Sequence, residues 1–435
     1  LLNLHSLAGW LVLALLAWLA GGARRPTSLR PLIGGTLLVF TLAAVVFLLP
    51  GARTALVVAN DAVIALLQAG LAGVVFLFGP LAMSPGQSTA GGEPSIGFVL
   101  ATQILPAVVF FAALMALMYH LNAVQPVVRV FARLFRRTMG LSGAEALGGA
   151  SNLFVGVESG LTVRPFIARM TRSELMLLLT CGMATVASTT LAVYVFLLAD
   201  RFPLIAGHLL SASLLSVPTA VIVAKLMVPE AEVPQTLGHV PHDAAPTGQR
   251  RAWLAVLSEG GMAGIRLASG IAALLIAVLG LVALIDLALA ALSSPVADAL
   301  DGPLSVERLL GWLFTPLALC LGVEAADVGE AARVLGRRAV LTEVVAYRDL
   351  AALAAAGTLS SRSLLILSYA VCGFAHVASI GVFVGGFAAI APERADDLAV
   401  LGPRALLAAT LATLMTGATA GVFWRPGAGL LGLTD

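Results

Sequence analysis

Two glutamates stand in apolar, interrupted sequence, Glu158 in GVESG and Glu343 in LTEVV, and downstream of each comes nearly the same eight-letter phrase. CGMATVAS fills residues 181 to 188 and CGFAHVAS residues 372 to 379, and six of the eight letters agree. Cysteine occurs three times in the chain (Cys181, Cys320, Cys372), and two of the three open the copies, so chance explains the match poorly. An Arg-Ser pair precedes each copy, Arg172-Ser173 and Arg362-Ser363. The chain therefore carries an internal repeat, either a working element or a remnant of duplication.

The residue types in the repeat suit binding and proton chemistry. Thr185 and His376 hold the same slot, followed by Ser188 and Ser379, which present hydroxyls. An imidazole titrates close to neutrality, so His376 is read either as a group that binds a solute and carries a proton or as a satisfied interior donor. Glu158 and Glu343 are acceptors or proton carriers on one reading and structural partners of Arg164 and Arg348 on the other. Asn152, the carbonyl of Val155, the Thr185 hydroxyl and the carbonyl of Val186 would make an oxygen-only pocket for a hard cation such as sodium. The alternative is that Asn152 caps a half-helix. His120 and His208 have no comparable context and are read as structural.

These side chains must be held in a bilayer. The 435 residues are 60% hydrophobic and 11% charged, with a mean hydropathy of +1.01, far too much apolar surface for one soluble core. A charge at membrane depth costs at least roughly 2.5 to 3.5 kcal/mol, which a chain does not keep idly at two glutamates. The cysteines lie in apolar surroundings and read as small packing residues. With a formal net charge of +2 and no basic stripe, nucleic acid is not a partner.

A crossing helix needs ~20 mostly apolar residues. Ten stretches qualify as an upper bound, near residues 5–21, 31–50, 62–82, 97–120, 174–199, 203–228, 265–292, 305–323, 363–390 and 400–424. The stretches around Asn60, Asp61 and Gln68 and around His208 are polar enough to lie at an interface or re-enter. Residues 7 to 21 read as a first membrane helix rather than a signal peptide, because Arg24, Arg25 and Arg30 follow it; they place its far end in the cytoplasm. Residues 123–138, with Arg129, Arg133, Arg136 and Arg137 among apolar residues, form an amphipathic helix, interfacial or in a loop.

Residues 143–170 and 339–350 fail as clean helices. The first is apolar only in short pieces broken at Gly148-Gly149, Ser151-Asn152, Gly156 and Ser159-Gly160. Lipid offers no partner to free N–H and C=O groups, so broken backbone at depth must be buried in protein or line a wet cavity. The pattern predicts a re-entrant hairpin and then a helix, twice, and such discontinuous elements in corresponding halves point to a carrier's binding site.

At these residues the chain resembles the concentrative nucleoside transporter family, from about residue 31 to 424. The likeness is strongest in NLFVGVESGLTVRPFIARMTRSEL (152–175), SASLLSVPTAVIVAKLMVPE (211–230), FTPLALCLGV (314–323), LTEVVAYRDL (341–350), the two octets and APERADDLAVLGPRALLA (391–408). The resemblance implies a symporter moving nucleosides inward on a sodium or proton gradient, usually a homotrimer, with two re-entrant hairpins and two broken helices in an inverted repeat. It implies that Glu158 faces the base and that Glu343 and Ser379 grip the ribose. The family's Gln at the first hairpin is replaced here within Gly156-Val157-Glu158-Ser159, one residue shorter, and its ribose-binding Asn by His376. An amide supplies a donor and an acceptor where Val157 supplies neither, so base recognition must differ.

The expected architecture is an all-α membrane protein: a multi-span helical transporter with two re-entrant hairpins and an inverted repeat. Residues 1–96 are scaffold helices, 97–200 the first hairpin and broken helix, and 201–435 the second hairpin, its broken helix and a last scaffold helix. The expected function is a secondary active symporter of the inner (plasma) membrane, with no cofactor beyond a coupling proton or sodium ion. Glu158, Glu343, His376, Ser379, Val157, Thr190 and Leu319 would line the substrate site; Asn152, Val155, Thr185, Val186 and His376 would serve the cation or proton. Two other readings stay open: a membrane-embedded sensor or scaffold that binds without transporting, and an enzyme using Glu343 and His376 as acid and base. The enzyme reading lacks any HExxH, GxSxG or clustered metal-ligand motif.

Overall fold

The computed structural model describes residues 1–24, 28–83, 88, 91–97, 99–154, 156, 159–199, 201–238, 252–294 and 302–426. Among the described residues there is no β-strand, and seven helices are long and apolar enough to cross a membrane. In chain order come α1 (Leu2–Ala20), α2 (Arg30–Leu48), α3 (Pro50–Phe78), the short α4 (Leu100–Gln103), α5 (Leu105–His120) and the amphipathic α6 (Gln125–Met139). Four short helices follow: α7 (Gly143–Ser151), α8 (Ser159–Ile167), α9 (Arg172–Ala184) and α10 (Ser188–Leu198). Then come α11 (Ile205–Met227), α12 (Trp253–Ser293) and α13 (Val306–Leu321). A second set of short helices is α14 (Val328–Val340), α15 (Glu343–Ala356), α16 (Ser361–Ala370) and α17 (Val377–Ile390), and α18 (Ala395–Phe423) closes the chain.

Burial separates frame from interior. The apolar windows of α11 and α18 are 83% and 67% buried, whereas those of α12 and α3 are 0% and 11% buried. The polar residues that made 203–228 look re-entrant are inside instead: α11 is one unbroken helix, and the side-chain oxygen of Asn60 accepts from the Ala206 amide in its first turn (3.1 Å). In α6, Val128, Ala132, Phe135 and Met139 form one buried face at helical spacing, leaving its arginines on the other.

Three expected spans are not continuous crossings. The stretch 305–323 holds only the 16 residues of α13, while 174–199 and 363–390 each split into two helices. Both splits fall in the octets. After α9, Thr185 and Ala187 are extended, so the chain leaves the helix and re-enters it at Ser188. In the second copy the helix stops earlier, at Ala370, and Gly373 takes φ +149°, which glycine tolerates and side chains rarely adopt. A Cβ on Gly373 would lie 2.7 Å from the carbonyl oxygen of Ala184, so the two interruptions touch. Gly373→Ala is therefore expected to cost about 2 kcal/mol in backbone strain alone. Thermal unfolding in detergent reads this, and an unchanged midpoint would mean the crossing is not there.

Helices α7 and α8 have nine residues each, about 14 Å of rise, so neither crosses alone. The second pair is longer than the sequence suggested. Residues 339–350 prove to be only the α14–α15 turn and the start of α15, and α14 escaped a search for apolar pieces because Arg333, Arg337 and Arg338 stud it. The starts of α7 and α9 are both closed by capping boxes, through Glu145 and Glu174. Lys225, near the end of α11, sits 2.5 Å from Glu145 and 3.4 Å from Glu230 and donates to Ser173 (2.9 Å), fastening both helix starts to the interior scaffold.

Candidate functional site

Glu343 opens α15, where the helix N-terminus favours a carboxylate, and Thr342 caps the turn by accepting from the Val345 amide. The side chain is buried, and Oε1 accepts from the Tyr194 hydroxyl at 2.8 Å. Tyr194 belongs to α10 and stacks on Tyr347 of α15, with ring centroids 4.5 Å apart and 22° between planes. The Tyr347 hydroxyl donates to the Ser368 carbonyl (2.8 Å), so the aromatic pair clamps α15 to α10 and α16.

His376 caps α17 in extended conformation, at the far edge of the second interruption. Its Nε2 lies 3.1 Å from Oε2 of Glu343, an ion-pair contact when the imidazole is protonated. The other ring nitrogen, Nδ1 of His376, is buried without a hydrogen-bond partner among the described residues. Native interiors rarely leave such an atom unpaired. Ser379 sends its hydroxyl proton to the His376 carbonyl (2.5 Å), which keeps its oxygen free to accept. The Arg348 alternative for Glu343 does not hold: Arg348 is exposed, and the contacts of the carboxylate are Tyr194 and His376.

In the first half of the repeat Asn152 is fully buried at the end of α7. Its Nδ2 donates to Gly148 (3.0 Å), which makes it the cap of a half-helix, while its Oδ1 has no partner among the described residues. The Thr185 hydroxyl donates to Cys181 (2.9 Å) and the Val186 amide to Ser213 (3.4 Å). Thr190, one turn before Tyr194 on α10, is buried and donates to Ala187 (3.1 Å). Leu319 is 45% exposed on α13, which packs against α14 and α1, and no described contact joins it to Glu343. Glu158, Val157 and Val155 lie outside the described residues.

Sequence reasoning missed Tyr194, Tyr347 and Arg338. The scarcity of tyrosine was a usable signal, since the chain has only 4 and two of them flank Glu343. Arg338, the largest of the fully buried side chains, lies within 3.1 Å of the Ala370 and Ala375 carbonyls that bracket the second interruption.

Two interrupted helices that touch, each beside a pair of short helices and enclosed by long apolar ones, define a secondary transporter. Family models agree along the chain: "Na+ dependent nucleoside transporter N-terminus" matches residues 8–81, "Nucleoside recognition" 101–201 and "Na+ dependent nucleoside transporter C-terminus" 208–421. The chain belongs to the Na+-dependent, or concentrative, nucleoside transporter family. An uncharacterised transporter of Haemophilus influenzae is 34% identical over 98% of this chain and 99% of its own length. The putative nucleoside permease NupX of Escherichia coli is 31% identical over 97% and 98%. An inward-facing, substrate-bound structure of CNTnw matches with a TM-score of 0.86 at 36% identity, over 97% of this chain and 98% of that one; an outward-facing structure of a CNTnw variant matches at 0.87 and 34%, over the same shares. The protein is thus a multi-pass, cation-coupled symporter of the plasma membrane that works by alternating access, not an enzyme.

Proposed function

We propose that the chain imports nucleosides or nucleoside-like solutes, binding the sugar at the second interruption and the base beside the first hairpin. The carrying observation is the buried Glu343–His376 pair, which holds a carboxylate at membrane depth and leaves Nδ1 of His376 unpartnered among the described residues, with the Ser379 oxygen nearby in sequence on α17. A diol brings two hydroxyl donors that also accept, and a carboxylate, an imidazole and a hydroxyl oxygen match them. Glu158 would then accept from the base edge. With Val157 where relatives of this pattern carry an amide, base choice rests on fewer hydrogen bonds, and Thr190 and Leu319 are assigned to the wall of the pathway.

The coupling ion is sodium or a proton, and the two have different homes. Sodium would sit among Asn152, Val155, Thr185 and Val186, a reading supported by the unpartnered Asn152 oxygen; the proton would ride on the His376–Glu343 pair. The working arrangement is two related halves, 97–200 and the hairpin and broken helix of 201–435, moving within a homotrimeric frame. Uptake of labelled nucleosides into proteoliposomes, with sodium and pH gradients imposed separately, tests all of this. Accumulation under one gradient supports the proposal and identifies the ion; saturable binding without counterflow under either points to a sensor. Asn152→Ala is expected to raise the sodium needed for half-maximal uptake about tenfold, the worth of one ~1.4 kcal/mol oxygen contact. Unchanged sodium dependence would remove the first interruption as the ion site.

A further inference from the structure

Arg338 has no role in the binding scheme above, yet it is 1% exposed in the interior of a membrane protein. Its Nη1 donates to the Ala375 carbonyl at 2.9 Å, and its Nη2 to the Ala370 carbonyl at 3.1 Å and to the Thr413 hydroxyl oxygen at 2.5 Å. Ala370 is the last residue of α16, so its carbonyl belongs to the electronegative end of that helix, where a cation is favoured. Ala375 lies in the interruption itself. Thr413, on α18, turns its own proton to the Thr410 carbonyl (3.0 Å), which leaves its lone pairs for the guanidinium. Among the described residues no carboxylate makes an ion pair with Arg338; Glu343 acts on it across space. The charge is held in a cage of two carbonyls and a hydroxyl, the ligand set a hard cation takes in a protein.

The octets give this cage its meaning. Ala375 is the counterpart of Ala184, the fourth letter of each copy. In the first half, the end of the leading short helix offers an amide oxygen with no partner, Oδ1 of Asn152. In the second half, the last turn of the leading short helix offers a guanidinium with three acceptors. We propose that Arg338 is a tethered cation: it fills the second interruption permanently, where the related first interruption is left for a cation that comes and goes. This assigns ion release to one half of the repeat. It also sets the fixed charge of Arg338 against that of Glu343 at the sugar end of the site. The inference rests on the chain being a cation-coupled carrier and not on the identity of its solute.

The test compares Arg338→Lys, Arg338→Met and Arg338→Ala in purified full-length protein, by thermal unfolding in detergent and by the stabilisation that added nucleoside gives. Lys keeps the charge and Met keeps the length. Expected is a Lys variant near wild type in both readouts, and a Met variant that either fails to fold or binds nucleoside about tenfold more weakly, as loss of charge-assisted hydrogen bonds implies. Millimolar guanidinium chloride, far below denaturing levels, is expected to raise the unfolding temperature of the Ala variant, and tetramethylammonium, which donates no hydrogen bond, is not. A Met variant equal to wild type would overturn the proposal. So would a Lys variant as damaged as the Met variant together with no recovery by guanidinium. The unfolding readout uses no nucleoside, so it separates failure of this inference from failure of the substrate assignment.

Discussion

Replacing Glu343 by glutamine is expected to lower nucleoside uptake at least ~100-fold while leaving the protein folded. The amide has the shape of the carboxylate and keeps one oxygen, so it can still accept from Tyr194, whose hydroxyl now reaches Oε1 at 2.8 Å. The stacked Tyr194–Tyr347 clamp and the Thr342 cap also remain. What disappears is the charged acceptor at Oε2, the atom that faces Nε2 of His376 at 3.1 Å. Hydrogen bonds to a charged group are worth about 1.5 to 3 kcal/mol each, and two sugar hydroxyls sharing one carboxylate lose roughly 3 kcal/mol between them, a factor of ~100 or more. The same loss appears without transport: nucleoside that raises the wild-type unfolding temperature should do nothing for Glu343→Gln at equal concentration, because stabilisation falls with affinity. Tyr194→Phe, which removes only the positioning hydroxyl, is expected to cost about tenfold. Uptake unchanged in Glu343→Gln would take the sugar site away from the second interruption.

Much of this was legible in local sequence. Hydropathy found all seven long apolar helices because a crossing helix announces itself in one window of ~20 residues. The octets located both interruptions because the break is written in residues next to one another, with Gly373 as its clearest mark. Glu343 and His376 stood out because charge at depth is costly. The rest depends on partners far apart in the chain. Tyr194 and Glu343 are 149 positions apart, Lys225 and Glu145 80, and Arg338 and Thr413 75, and nothing in the local pattern pairs them. Helix α14 was passed over for a related reason. Its arginines break the apolar pattern, but one of them, Arg338, points inward to carbonyls left open where another helix is broken. The polar residues of α3 and α11 misled in the opposite direction, since Asn60 and His208 are satisfied by neighbouring helices: Asn60 receives the Ala206 amide, and His208 Nδ1 lies 2.7 Å from the Tyr369 hydroxyl.

His376→Leu and His376→Asn should part company. Leucine leaves Oε2 of Glu343 facing an apolar wall, and stripping the partner from a buried charge costs about 3 to 5 kcal/mol, so uptake should fall by ~100-fold or more. Asparagine restores a donor to the carboxylate and an acceptor to the solute, and uptake at neutral pH is expected within about tenfold of wild type. The two differ from the parent in a second way. The titratable group that faces the imidazole is Glu343 on α15, and Tyr194 on α10, Tyr347 on α15, Arg338 on α14 and Cys372 in the interruption act in turn on Glu343. If the pair carries the proton, acid outside loads His376, draws it onto Glu343 as an ion pair and drives the loaded carrier inward. Wild-type uptake should then climb as the imposed inward proton gradient grows, and the His376→Asn variant, with no imidazole to load, should give a flat profile. A variant that keeps the wild-type slope would move the proton elsewhere, and one whose flat profile still follows a sodium gradient would place coupling at Asn152.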